Sequence, residues 1–145
     1  MLAKQITYVN FNGEEITETF YFNITKAEII EMEVSHPGGY VDYLERIMNA
    51  KERSELIDAF TKLILSAYGE KSEDGRKFRK SKEISEDFHT SEAYSELLVE
   101  LMSDEDKASE FVRAILPKLE LSEEQEQNLD QKMKDRINSM KTHQS

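Results

Sequence analysis

Residues 6–22, ITYVNFNGEEITETFYF, decide the fold. Two short runs rich in β-branched and aromatic residues flank Asn12-Gly13, the dipeptide that best tolerates the positive φ angles of a type I′ turn, so the segment predicts a β-hairpin. On its second strand Ile16, Phe20 and Phe22 share one face, with Glu18 intruding toward its edge. An isolated hairpin is marginal in water, so that face requires a cover.

The cover is expected to begin at once. Thr25-Lys26-Ala27-Glu28 is a capping box, in which the Thr25 hydroxyl and the Glu28 carboxylate each satisfy a free backbone donor, and Ile24 and Ile29 flank it at the spacing of a hydrophobic staple. The helix that starts near Lys26 must stop before His36-Pro37-Gly38-Gly39. Tyr40, Tyr43, Leu44 and Ile47 then form one helical face; Leu56, Phe60, Leu63, Ile64 and Ala67 form another, with Gly69 as a left-handed cap. Further on, Ile84 and Phe88 predict a short helical turn, and Ala93, Tyr94, Leu97, Leu98 and Leu101 a longer stripe. After the helix start at Ser103 to Asp106, where acids suit the positive end of the macrodipole, Ala108, Phe111, Val112, Ile115 and Leu116 line a last core helix closed by Pro117.

Two segments depart from this pattern. Glu70 to Lys82 has no helical periodicity and contains six basic residues (Lys71, Arg76, Lys77, Arg79, Lys80, Lys82) against three acids, so it reads as an exposed, locally positive loop. It either meets an acidic partner segment or a neighbouring subunit, or is simply kept soluble by its charge. From Glu120 to Ser145 only Leu121, Leu129, Met133, Ile137 and Met140 are apolar. Their spacing gives either a thin helical stripe that docks on a partner or a frayed terminus. The expected architecture is α+β and mostly helical: an N-terminal hairpin followed by about five or six helices as one globular domain over residues 1–118, and a flexible acidic tail over 119–145.

At 145 residues and 38% apolar content there is room for one modest core. A net charge of −11 repels phosphate backbones and anionic membrane surfaces, which argues against nucleic acid or membrane as partner. The absence of cysteine excludes disulfides, thiolate metal sites and cysteine nucleophiles and suits a reducing cytoplasm. Neither a secretory leader nor a run of eighteen apolar residues is seen.

Nothing in the chain converges on catalysis. His36, His89 and His143 are far apart, zinc-binding and phosphate-loop spacings are absent, and Ser109 stands where a calcium loop opening at Asp104 would need glycine. Glu96 and Glu100 lie a helical turn apart, as chance allows in so acidic a chain. No catalytic, metal or cofactor-binding residue is assigned. The candidate protein-binding residues are Arg76, Lys77, Phe78, Arg79 and Lys80 in the basic stretch and Tyr94, Leu98 and Leu101 on the apolar stripe, which is wider than one small-domain face needs.

The run Ala67-Tyr68-Gly69-Glu70-Lys71-Ser72-Glu73-Asp74-Gly75-Arg76-Lys77-Phe78, followed by Ser85-Glu86-Asp87-Phe88, Thr90-Ser91-Glu92-Ala93-Tyr94-Ser95-Glu96-Leu97 and Phe111-Val112-Arg113-Ala114-Ile115-Leu116-Pro117, resembles the tail assembly chaperones of long-tailed bacteriophages. The resemblance extends from the hairpin to Pro117 and is densest from the basic stretch into the helix after it. It implies a non-enzymatic protein of the host cytoplasm, often made in two lengths by ribosomal frameshifting. Such a protein binds the tape measure protein, keeps it soluble and helps tail tube subunits polymerise around it, and is absent from the mature virion. A structural tail completion or connector protein retained in the virion is the alternative. An uncovered edge of the hairpin could also pair with a second copy, giving a homo-oligomer, unless Glu14, Glu15 and Glu18 blunt it.

Overall fold

The computed structural model describes residues 1–35 and 53–117, together with 127, 131, 134, 135, 137 and 138. Leu2–Val9 (β1) pairs antiparallel with Glu15–Phe22 (β2), with Ile6 opposite Glu18 and Tyr8 opposite Ile16. The hairpin is as expected, but its turn is not of type I′. The Gly13 N–H donates to the Asn10 carbonyl at 3.0 Å and the Asn10 N–H to the Glu14 carbonyl at 2.9 Å, while Gly13 alone takes positive φ, +80°. The Asn10 side chain explains the shift, because its Oδ1 accepts from the N–H groups of both Asn12 and Glu14. It thereby sets a tight turn one residue early and leaves glycine as the left-handed bulge of a three-residue loop.

The capping box forms as read. Glu28 N–H donates to Thr25 Oγ1 at 3.1 Å, Thr25 N–H donates to Glu28 Oε1 at 3.0 Å, and Ile24 and Ile29 are both buried beneath the start of Lys26–Ser35 (α1). The turn at His36-Pro37-Gly38-Gly39 and the helix around Tyr40, Tyr43, Leu44 and Ile47 lie outside the described residues. Arg53–Ala67 (α2) buries Phe60, Leu63, Ile64 and Ala67 on one face.

Beyond Ala67 the structure corrects the sequence reading. Gly69 is not a helix cap: the chain passes from α2 straight into Tyr68–Lys71 (β3), turns, and returns as Phe78–Arg79 (β4). The stretch expected to be an exposed loop is thus a second hairpin. β3 pairs with β2 through Tyr21 with Gly69 and Phe22 with Tyr68, giving an antiparallel sheet of order β1-β2-β3-β4. The strands of this hairpin are illegible in the sequence because each is too short to show alternation and half of their residues are charged.

Three helices complete the described domain: Lys82–His89 (α3), Glu92–Ser103 (α4) and Glu105–Ile115 (α5). Ser81, Ser91 and Asp104 cap their N-termini with side-chain oxygens. The sheet's inner face meets them through an aromatic cluster. Phe22 lies within 5.7 Å, between ring centroids, of Tyr68, Phe88 and Phe111, and Tyr68 stacks on Phe88 at 4.2 Å. Each such pair contributes roughly 0.5–1.5 kcal/mol beyond the burial of its area. Where β2 ends, the Asn23 N–H donates to the Ala67 carbonyl and the Ile24 N–H to the Ile115 carbonyl, both at 2.8 Å, fastening the strand to the ends of α2 and α5. Lys4 of β1 and Lys107 of α5 both grip Glu100 of α4, at 3.1 and 3.2 Å.

Within the segment expected to be a tail, the described residues Gln127, Gln131, Lys134, Asp135, Ile137 and Asn138 are helical. Ile137 has no exposed surface and belongs to the same core as the five helices.

Candidate protein-binding surface

The basic stretch owes its shape to the turn between β3 and β4. The Ser72 N–H donates to the Lys77 carbonyl at 2.9 Å, the Gly75 N–H to the Ser72 carbonyl at 3.0 Å, and Gly75 takes φ of +74°. Asp74 is the hub: its Oδ1 accepts from the Arg76 N–H and the Ser72 hydroxyl, and those two bonds hold its carboxyl below the ordinary value. The Ser72 Oγ accepts in turn from the Lys77 N–H at 3.0 Å. Backbone groups that a solvated loop would give to water are paired here, so Arg76, Lys77 and Arg79 project, exposed, from an ordered scaffold.

Phe78 and Lys80 belong to the scaffold. Phe78 is half-buried against Gly69, where an added Cβ would fall 2.7 Å from the Phe78 ring and 2.8 Å from the Arg79 carbonyl oxygen. Close approach of the two strands is therefore what requires glycine at this position. Lys80 donates to the Asn23 carbonyl at 2.7 Å and to both Glu28 oxygens at 3.0 and 2.8 Å, and its ammonium stands 5.7 Å from the centre of the Phe78 ring. One side chain so ties the second hairpin to the end of β2 and the cap of α1. Burial opposes ionisation of Glu28, but hydrogen bonds from Lys80 and Thr25 outweigh it and hold the carboxyl below its ordinary value.

Of the candidates on the apolar stripe, Tyr94 and Leu101 are buried in the core, and Leu98 is half-buried at its margin. The Tyr94 hydroxyl donates to Thr61 Oγ1 at 2.9 Å, joining α4 to α2. The exposed apolar side chain of α4 is Val99, at 63%; Ile30 on α1, at 60%, and Phe11 at the tip of the first hairpin, at 79%, share that exposure. None of the three was singled out from sequence. Phe11 carried a signal, since an aromatic residue inside a tight turn has no inner face to occupy.

Of the groups weighed for chemistry, His36 and His143 lie outside the described residues. The exposed His89 ring stands edge-on to Tyr94 at 4.9 Å. Burial opposes ionisation of Glu100, but Lys4 and Lys107 outweigh it and keep its carboxyl below the ordinary value, the reverse of what an acid catalyst needs. Among the described residues no three histidine or carboxylate side chains converge to hold a metal ion, and no helix is long and apolar enough to cross a membrane.

These features define an acidic α+β protein that presents a rigid basic hairpin and isolated apolar side chains. The chain matches the family model described as phage tail assembly chaperone over residues 1–145, and it belongs to that family. Membership implies partners among the proteins of the phage tail. No curated protein and no solved structure matches the chain.

Proposed function

We propose that this tail assembly chaperone binds the tape measure protein, keeps it soluble, and helps tail tube subunits polymerise around it. The observation that carries the reading is the family match over the whole chain. The physics agrees with it. A long helical protein awaiting its tube exposes apolar stripes that aggregate, and a carrier of net charge −11 keeps the complex soluble while its exposed Phe11, Ile30 and Val99 supply apolar contacts. The protein acts by binding rather than catalysis, in the host cytoplasm, and leaves before the particle is complete. Residues Arg76, Lys77 and Arg79 supply a contact for acidic segments of a tail protein or of a second copy.

Quantitative mass spectrometry of infected lysate and purified virions tests this reading. The chaperone is expected in the lysate and missing from the particles. Stoichiometric recovery from virions would instead make the chain a structural tail component.

A further inference from the structure

We propose that the outer edge of β1 pairs antiparallel with β1 of a second copy of this chain, joining the two sheets into one. The inference stands independently of the chaperone reading.

The register shows which backbone groups that edge offers. The Asn10 N–H donates to the Glu14 carbonyl, and on the other side of β2 the Asn23 N–H donates to the Ala67 carbonyl. Antiparallel pairs alternate, so the even-numbered residues of β2 turn their backbone groups toward β1 and the odd-numbered ones toward β3. On β1 the even-numbered residues are therefore the ones paired, and the N–H and C=O groups of Ala3, Gln5, Thr7 and Val9 point away from β2. Among the described residues no strand lies on that side, and the side chains of the same four residues are exposed.

The edge lacks the devices that keep strands apart. Proline, a bulge, shortness or outward charge would serve, but β1 pairs without interruption over eight residues and contains no proline. Its one charged residue, Lys4, is held by Glu100 at 3.1 Å. Glu14, Glu15 and Glu18, the acids that could blunt an edge, stand in the turn and on β2, one strand further in.

Self-complementarity selects a second copy as the occupant. A two-fold axis at Ile6 sets Gln5 opposite the second copy's Thr7 and Ala3 opposite its Val9, so that every outward N–H and C=O of Ala3, Gln5, Thr7 and Val9 gains a partner. On the other face Lys4 falls opposite the second copy's Tyr8, and no like charges meet. Met1, which is exposed, falls level with the second copy's Phe11, and the exposed Val9 with its Ala3, so apolar surface along this edge is covered by the same pairing.

Sedimentation equilibrium and amide hydrogen exchange of the full chain test the proposal. A dimer is expected, with the Gln5, Thr7 and Val9 N–H groups protected in it and exchanging about tenfold faster or more after dilution into monomer. Gln5→Pro removes one outward N–H and leaves the β1–β2 ladder intact, so it is expected to weaken the dimer about tenfold or more without unfolding the chain. A second measurement does not depend on that variant. The chain has no cysteine, so Gln5→Cys and Thr7→Cys, made as separate chains and mixed under oxidation, are expected to form a disulfide dimer that neither forms efficiently alone. A chain that stays monomeric up to about 100 μM overturns the proposal, as does a dimer in which those three N–H groups exchange freely. Protection that arises only on addition of a tail protein also overturns it, since the occupant of the edge is then a foreign strand.

Discussion

The two hairpins end in similar turns but are held by different forces. Each closes on a glycine at positive φ, +80° at Gly13 and +74° at Gly75, and in each a side-chain oxygen accepts from the backbone, Asn10 from two N–H groups and Asp74 from the Arg76 N–H. The first is self-supporting in register, with eight residue pairs between β1 and β2 and its own cross-strand contacts, Thr7 with Thr17 and Tyr8 with Glu18. The second has two pairs, Glu70 with Arg79 and Lys71 with Phe78, and depends on what lies around it: β2 beside it, the Phe78 ring over Gly69, and Lys80 reaching to Glu28. A long hairpin specifies itself, whereas a short one is specified by its surroundings.

The largest expected effect unites them. Phe22 ends the first hairpin and both pairs with and packs on Tyr68 of the second, so Phe22→Ala is expected to cost about 3–5 kcal/mol in urea denaturation and to lower amide protection in both together. Loss confined to β1 and β2 would show that the second hairpin has its own support. Gly69→Ala separates them: the clash with Phe78 and the Arg79 carbonyl is expected to cost about 1–3 kcal/mol, with hydrogen exchange rising at 68–71 and 78–79 while β1 stays protected.

Lys80→Met is expected to cost about 1–2 kcal/mol, since it removes hydrogen bonds to a carboxylate and to the Asn23 carbonyl at a partly exposed site. Its pH dependence is defined. Because Glu28 in the folded protein titrates below its ordinary 4.5, the ion-pair part of the difference is fully present above that pH and fades as pH falls through the depressed value. A difference unchanged in acid would mean that packing, not charge, is lost. Smallest of all, Arg76→Ser, Lys77→Ser and Arg79→Ser together are expected to alter stability by no more than about 0.5 kcal/mol while weakening partner binding or self-association at low salt. Unchanged affinity would leave these cations as solvating charge. Lys80 must be spared in that test, because changing it would confound binding with folding.

The same contrast explains what was legible. The first hairpin, the Thr25/Glu28 cap and the faces of α2, α4 and α5 all follow from residues a few positions apart, where periodicity and capping chemistry act. The second hairpin depends on Gly69 beneath Phe78 and on a Lys80–Glu28 contact spanning 52 residues, which no local pattern reports. For the candidate surface, charge pointed to Arg76, Lys77, Arg79 and Lys80 alike; the first three are exposed, whereas Lys80 is a clamp. Apolar periodicity pointed to Tyr94 and Leu101 for the reason that they are core. Periodicity locates the face a helix buries; it is silent on which apolar residues remain outside, as Val99 and Ile30 do.

Co-expression of this chain with the tape measure protein, followed by measurement of how much tape measure protein stays in the supernatant after ultracentrifugation, tests the proposed shielding. Most of it is expected to remain soluble and to copurify with the chaperone. Tape measure protein that pellets as it does alone, with no complex recovered even when a longer frameshifted form is supplied, would contradict it.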